Sequence, residues 1–310
     1  MRLFDLHCDT LTAAYDSGQS LWRNSLHLDG ERGCAFVAWR QIFAVFTPDA
    51  LRGDAAWERA RQVLAFAKEQ VDRYPDRFRL IRSLADWRAV APHQCGMILA
   101  LESAAPLAGD LSRLDGMAGA GVKVITFTWN GENECGFGCG CDPRAGLKPF
   151  GKALARRMAE KGIVPDVSHL NPAGFWDVMD AVSGPVIASH SVSAAVHPHP
   201  RNLTDEQFDA LRDRGGLVGL NFCADQLGGL SLEQIERHLD RFLSRGGERT
   251  VALGGDLDGV DLPEKWQGIG IAERLREYLC RKNYEEWLLD RLFFGNGYDF
   301  FDKAFSTFDK

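Results

Sequence analysis

Eight short runs rich in β-branched and aromatic residues, separated by longer amphipathic stretches, limit what this chain can fold into more than any other feature. The runs are Leu3–Leu6, Ala35–Phe46, Gly96–Leu101, Val122–Thr128, Ile163–Val167, Val186–Ser189, Gly216–Phe222 and Val251–Leu253. Near-continuous apolar runs of this length fit strands covered by helices on their outer face, as in a parallel sheet. Helix-period segments fall between them at about residues 53–74, 110–120, 149–162, 171–182, 204–214 and 231–246. Two have explicit starts, Asn171-Pro172 and Thr204-Asp205-Glu206, where a capping side chain precedes a proline or an acidic first turn. The connection Thr10–Ser17 is short for a crossover helix.

Eight alternations in about 255 residues match an α/β (β/α)8 TIM barrel. A doubly wound open sheet would usually show five to seven strands and a glycine fingerprint for phosphate. No internal repeat or low-complexity linker marks a second domain, so residues 1–310 are expected to form one barrel with a helical extension from about 271 to 310. Within the extension, Tyr284–Phe294 reads as an amphipathic helix, with Leu288, Leu289, Leu292 and Phe293 packed on the barrel.

Composition narrows the partners. Lys and Arg total 36 against 43 Asp and Glu, a net charge of −7, with no basic tract, which disfavours a nucleic-acid footprint or an anionic membrane surface. No apolar run reaches the roughly 18 residues that span a bilayer. The opening Met1-Arg2-Leu3-Phe4-Asp5 lacks the order of a signal peptide, so a cytoplasmic location and reduced cysteines are expected. Cys135, Cys139 and Cys141 offer three soft ligands within one Gly-rich loop, but a structural zinc wants a fourth ligand and CxxC spacing, so a reactive or merely tolerated loop is the better reading. A small-molecule partner is the default; association as a homodimer stays open.

Metal-ligand residue types stand where the runs stop. The first ends Asp5-Leu6-His7-Cys8-Asp9, with His7 and Asp9 on the same side of an extended chain. The third ends at Glu102, the fifth Asp166-Val167-Ser168-His169, the sixth Ala188-Ser189-His190, and the eighth Gly254-Gly255-Asp256-Leu257-Asp258. C-terminal strand ends are where this fold builds its active sites. Three imidazoles with two or three carboxylates suit Zn²⁺ or a similar divalent ion, and hold two ions if one carboxylate bridges. Asp5 is a candidate supporting partner. His27, His93 and His238 sit in polar or helical contexts and are expected at the surface. His197 and His199, in Val196-His197-Pro198-His199-Pro200, could touch substrate or simply stiffen a proline-bounded loop.

With these residues in view, the chain resembles the membrane (renal) dipeptidase family, peptidase family M19, over nearly its whole length. The residues that carry the resemblance are His7-Cys8-Asp9, Leu101-Glu102 with Gly121-Val122 downstream, Asp166-Val167-Ser168-His169, Ala188-Ser189-His190-Ser191, Arg201-Asn202 and Gly254-Gly255-Asp256-Leu257-Asp258-Gly259. The resemblance implies a TIM barrel of the metal-dependent hydrolase type and a dipeptidase with two divalent ions per chain, expected to be Zn²⁺. His7 and Asp9 would hold one ion, His169 and His190 the other, and Glu102 both. Arg201, with Asn202 beside it, would bind the carboxylate of a small peptide substrate, and Asp256 would move the proton. The expected reaction is attack on the peptide carbonyl by a hydroxide shared between the ions.

There are departures from the family pattern. Its histidine after the fourth strand is Trp129 here, in Thr126-Phe127-Thr128-Trp129-Asn130. Its Glu-Gly is Glu102-Ser103, a Tyr is Ala118 and an Arg is Lys123. Trp129 is expected to line the substrate pocket with one N–H and an apolar face. Three rival readings are a phosphoesterase, which would want more cations than Arg201 for phosphate; an amidohydrolase bridged by a carboxylated lysine, for which the fourth run offers only Lys123; and a metal-binding barrel without turnover.

Overall fold

The computed structural model describes residues 1–266 and 268–308. The strands are β1 (Arg2–Cys8), β2 (Ala38–Phe46), β3 (Phe78–Leu80), β4 (Cys95–Glu102), β5 (Val122–Thr126), β6 (Val164–Asp166), β7 (Ile187–Ala188), β8 (Leu217–Leu220) and β9 (Val251–Leu253). All pair in parallel, and β2 pairs with both β1 and β4, so eight strands in the order β1-β2-β4-β5-β6-β7-β8-β9 close on themselves. This is the (β/α)8 barrel expected, closed by the pairing of β9 with β1.

β3 was not expected. It lies beside the first half of β4, Phe78 opposite Cys95 and Leu80 opposite Met97, and β5 takes over the same edge of β4 from Leu99. Three residues are too few to show a period. Several runs also pair over a shorter span than their apolar length: Ala35–Phe46 becomes a strand at Ala38, Gly216–Phe222 narrows to Leu217–Leu220, and Val186–Ser189 to Ile187–Ala188.

Side chains alternate between the two faces of the barrel wall. On β4, Met97, Leu99 and Leu101 face the helices, while Ile98 and Ala100 join Phe4, Ile42, Val124, Val164, Ile187 and Leu217 in the barrel interior. Glu102 continues the inward series at the top of β4. In β1 the register against β2 shifts between Asp5 and Cys8, which lets consecutive Leu6 and His7 both turn inward.

The C-terminal extension differs in detail from the single helix expected over Tyr284–Phe294. Helices Ile271–Arg281 and Glu286–Asp290 are followed by a π-helical turn, Arg291–Gly295, that runs into the helix Asn296–Phe308. Leu289, Leu292 and Phe293 are buried as expected, and Leu288 is half-buried. The extension also seals the N-terminal end of the barrel: Phe294, Phe300, Phe301 and Phe305 join Phe4 and Trp87, and Trp87 Nε1 donates to Asp302 Oδ1 at 3.0 Å. Gly297 allows this approach, since a Cβ there would come within 2.6 Å of the Phe4 ring. Gln267, Asp309 and Lys310 lie outside the described residues. Phe301 is fully buried in the plug, so Phe301→Ala is expected to cost about 3 to 5 kcal/mol of stability. Urea denaturation checks it, and a loss below about 1 kcal/mol would show that the plug adds little.

Candidate metal centre and substrate cleft

The strand-end donors converge at the C-terminal mouth, in a cleft of about 660 Å³ lined by Asp9, Glu102, Trp129, His169, Arg201 and Asp256 among others. Glu102, almost fully buried, stands at the centre. Its Oε1 lies 2.9 Å from His169 Nε2 and 3.8 Å from His190 Nε2, and its Oε2 lies 3.4 Å from His7 Nε2. His7 Nε2 is in turn 3.6 Å from Asp9 Oδ2 and 3.8 Å from Asp256 Oδ1. Two sets of donor atoms, His7 with Glu102 and His190, and His7 with Asp9 and Asp256, each fall within 4.8 Å of one another.

Two observations show that these residues fit metal ions. Buried His7 Nε2, Asp9 Oδ1 and Glu102 Oε2 have no hydrogen-bond partner, a cost a fold avoids unless something else satisfies the atoms. The Nε2 atoms of His169 and His190 also meet at 2.8 Å, a contact that two lone pairs tolerate only with a proton or cation between them.

The backbone is bent to present these groups. Ser103, His169, Asp256 and Asp258 have φ of 76°, 71°, 57° and 68°, left-handed values that cost a residue with a Cβ about 1 kcal/mol each. The glycine in the family pattern after Glu102 thereby has a physical reason: Ser103 adopts a conformation that suits glycine. Asp5 accepts from the backbone N–H groups of His7 and Gly255 at 2.9 Å each, tying the ends of β1 and β9 together.

Burial pushes the His169 and His190 imidazoles well below their ordinary pKa, and the charges of Arg201 and His7 push in the same direction. The neutral ring that results is the form that ligates a metal. At His7 burial acts downward but is outweighed by the Glu102 and Asp9 carboxylates, which hold that ring well above its usual value. Burial, helped by the charges of Asp9 and Glu102 and opposed by His7, raises Asp256 to about 8; burial and Glu102 raise Asp9 to about 6.

Arg201 is buried beside the cleft, with Nη2 3.4 Å from the His190 carbonyl and no carboxylate within 4.0 Å among the described residues. His199 also lines the cleft, and its Nδ1 accepts from the Arg201 backbone N–H at 3.2 Å. Trp129 forms a wall, its ring 5.3 Å from Phe46 edge-on and 6.2 Å from His169. Asn202 is placed differently from the expectation. It is not among the cleft-lining residues, and its Nδ2 donates to the carbonyls of His197 and Gln226, so it staples the loop that carries Arg201.

His238 is fully buried, not at the surface: its Nδ1 accepts from the Ser193 N–H at 3.0 Å and its Nε2 faces the Leu227 carbonyl at 3.2 Å. His27 is half-buried, exchanging hydrogen bonds with Asp258 at the cleft rim. His93 is exposed as expected. The cysteine loop belongs to neither donor set: Cys135 is buried, its thiol pushed up by desolvation, and Cys139 Sγ donates to Asn130 Oδ1 at 3.1 Å. Asn130 was not singled out from the sequence, yet its Oδ1 lies 2.8 Å from His169 Nδ1. A single Asn after a strand carries no sequence signal of that contact.

A closed (β/α)8 barrel with imidazole and carboxylate donors clustered at the C-terminal ends of its strands is the build of a metal-dependent hydrolase. The model of the membrane dipeptidase family, peptidase family M19, matches residues 1–304, and the chain belongs to that family of metallo-dipeptidases. An uncharacterized protein in the pqqA 5′ region of Klebsiella pneumoniae is 34% identical over 257 residues, 78% of this chain and 93% of that one. Dipeptidase verJ of Clonostachys rogersoniana is 28% identical over 67% of this chain and 56% of its own length. Among solved structures, a metallo peptidase from Rhodobacter sphaeroides, liganded with a phosphinate mimic of the dipeptide L-Ala-D-Ala, superposes with a TM-score of 0.89. It is 25% identical over 98% of this chain and 99% of that one. Dipeptidase AC, of family M19, gives a TM-score of 0.89 at 26% identity over the same shares.

Proposed function

We propose that this chain hydrolyses dipeptides carrying a free C-terminal carboxylate, with two divalent ions, Zn²⁺, held at the barrel mouth. His7 and Asp9 hold one, His169 and His190 the other, and Glu102 serves both. The observation that carries this is the division of Glu102: Oε1 faces the His169 and His190 side, and Oε2 faces His7. Bound there, a pair of divalent ions supplies Lewis acidity at the scissile carbonyl and an acidified water for attack.

The protein's own groups do the rest. Asp256, whose Oδ1 lies 3.8 Å from His7 Nε2 at the edge of the donor cluster, takes the proton from the attacking water and returns it to the leaving amine. Arg201, a buried guanidinium without a carboxylate partner among the described residues, receives the substrate carboxylate through its planar fork. Six carboxylates line the cleft, from Asp9, Asp16, Glu102, Asp225, Asp256 and Asp258, against the single guanidinium of Arg201. Beyond Asp9, Glu102 and Asp256, which are taken up by the ions and the proton, Asp16, Asp225 and Asp258 remain to favour a substrate with an ammonium end. The chain is read as one barrel domain with a helical extension. We place it in the cytoplasm, whose reducing environment suits buried thiols such as Cys8, Cys95 and Cys135.

Turnover of unblocked L,L- and L,D-dipeptides, compared with phosphoesters, tests the reading. Dipeptide hydrolysis alone is expected, and hydrolysis of phosphoesters alone would overturn it. The wall at Trp129 makes a separate expectation. Trp129→His and Trp129→Phe should change the ratio of kcat/KM between a small and a bulky dipeptide by about tenfold, because the indole narrows the cleft beside His169. An unchanged order of preference in both variants would show that Trp129 only packs on Phe46.

A further inference from the structure

Beneath the imidazoles of His190 and His7, whose ring centroids are 3.9 Å apart, lies a buried polar relay that does not line the cleft. Asp166, at the end of β6, is surrounded by donors. Its Oδ1 accepts from the backbone N–H groups of Ser168 and Ser189 at 3.0 Å each, and its Oδ2 accepts from the hydroxyls of Thr126 at 2.9 Å and Ser189 at 2.5 Å. With four donors converging on it, the carboxylate acts only as an acceptor, so the Ser189 hydrogen points at Asp166. The lone pairs of Ser189 Oγ then face the ring nitrogens above: His190 Nδ1 at 2.8 Å and, at the outer limit of a hydrogen bond, His7 Nδ1 at 3.5 Å. Ser189, His190 and Asp166 are all essentially inaccessible to water.

We propose that Ser189, oriented by Asp166, is a positioning residue that keeps the proton of His190, and more weakly that of His7, on Nδ1, so that Nε2 of each is free to ligate. The inference rests on the metal reading above. A histidine's second nitrogen is what sets its tautomer and ring direction, and loss of such a partner typically lowers metal affinity about 10- to 100-fold. One hydroxyl here serves rings assigned to two different ions. The 2.8 Å contact against the 3.5 Å one makes the ion on His190 the more dependent of the two.

The chain of donors and acceptors predicts different outcomes for two near-isosteric variants. Ser189→Ala removes the acceptor and leaves His190 Nδ1–H without a partner. Asp166→Asn reverses the relay: the backbone N–H groups keep the amide oxygen, the amide NH₂ donates to Ser189, and the Ser189 hydrogen turns to His190 Nδ1. That drives the ring proton to Nε2, where it blocks ligation, the error that an Asp-to-Asn change makes in a Ser-His-Asp triad.

The test uses the full chain, labelled with ¹⁵N-histidine, with its imidazole nitrogen shifts recorded before and after zinc is added, and zinc affinity measured by competition with a chromophoric chelator. His190 is expected to be protonated at Nδ1 in the wild type and at Nε2 in Asp166→Asn. Zinc affinity at the weaker of the two sites should fall about 10- to 100-fold in both variants. Thermal melts identify any variant that fails to fold, and Ser189→Ala decides alone if Asp166→Asn does. His190 still protonated at Nδ1 in the folded variants, with zinc affinities within about twofold of wild type, would overturn the proposal. A tautomer change between the wild type and Asp166→Asn, with no zinc bound by the wild type, would remove the metal reading and leave the relay standing.

Discussion

Glu102→Ala is expected to abolish turnover and to lower the metal content of the purified protein from two ions per chain towards one or none. Both carboxylate oxygens are engaged, one facing His169 and His190 and the other His7, so a single truncation removes a ligand from each ion at once. Lewis-acid stabilisation of a developing oxyanion contributes several kcal/mol, so kcat/KM for a free dipeptide should fall by roughly 10³-fold or more. Elemental analysis and dipeptide kinetics on the same preparation check both halves. Because a buried carboxylate among imidazoles costs desolvation when it has no cation, the variant is expected to remain folded. Full occupancy with full activity would remove Glu102 from the shared position.

Arg201→Lys should separate recognition of the substrate's end from chemistry at its middle. The guanidinium is buried and has no carboxylate partner among the described residues, and burial lowers its pKa from the ordinary arginine value. Lysine keeps the charge but loses the planar pair of donors that fits a carboxylate. A desolvated charge contact of this kind carries about 2 to 3 kcal/mol, so kcat/KM for free dipeptides is expected to fall on the order of 10²-fold. C-terminally amidated dipeptides should change by less than about threefold, since they present no carboxylate to lose. Equal losses on both substrate series would place Arg201 elsewhere in the mechanism, or in the support of His190, whose carbonyl it approaches.

Much of the site was legible because the barrel turns sequence position into spatial position. A residue just past an apolar run lies at the C-terminal rim, so His7, Glu102, His169, His190 and Asp256 could be gathered from five separate places in the chain before any distance was known. What a strand end does not disclose is which way a side chain faces once the ladder becomes irregular. His7 points inward because the β1–β2 register shifts beside it, and nothing in Asp5-Leu6-His7 announces that shift. His238 shows the opposite failure. Its neighbours in the chain are charged, but in helix Leu232–Leu243 it falls on the buried stripe with Ile235, Leu239 and Phe242, a period that the polar context of the sequence obscured. Asn202 came with Arg201 in a motif that carried the resemblance, and the structure turns its side-chain NH₂ to the loop carbonyls. Asp166 and Ser189 stood in the motifs that carried the resemblance, yet their hydrogen bonds link β6 to β7 across 23 residues and exist only in the closed barrel.

The most direct test of the account is anomalous diffraction at the zinc edge from crystals of the protein as purified. Two peaks are expected, one bounded by His7 and Asp9 and one by His169 and His190, with Glu102 reaching both. A single peak, or none, in crystals grown from protein that hydrolyses dipeptides at full rate would contradict it.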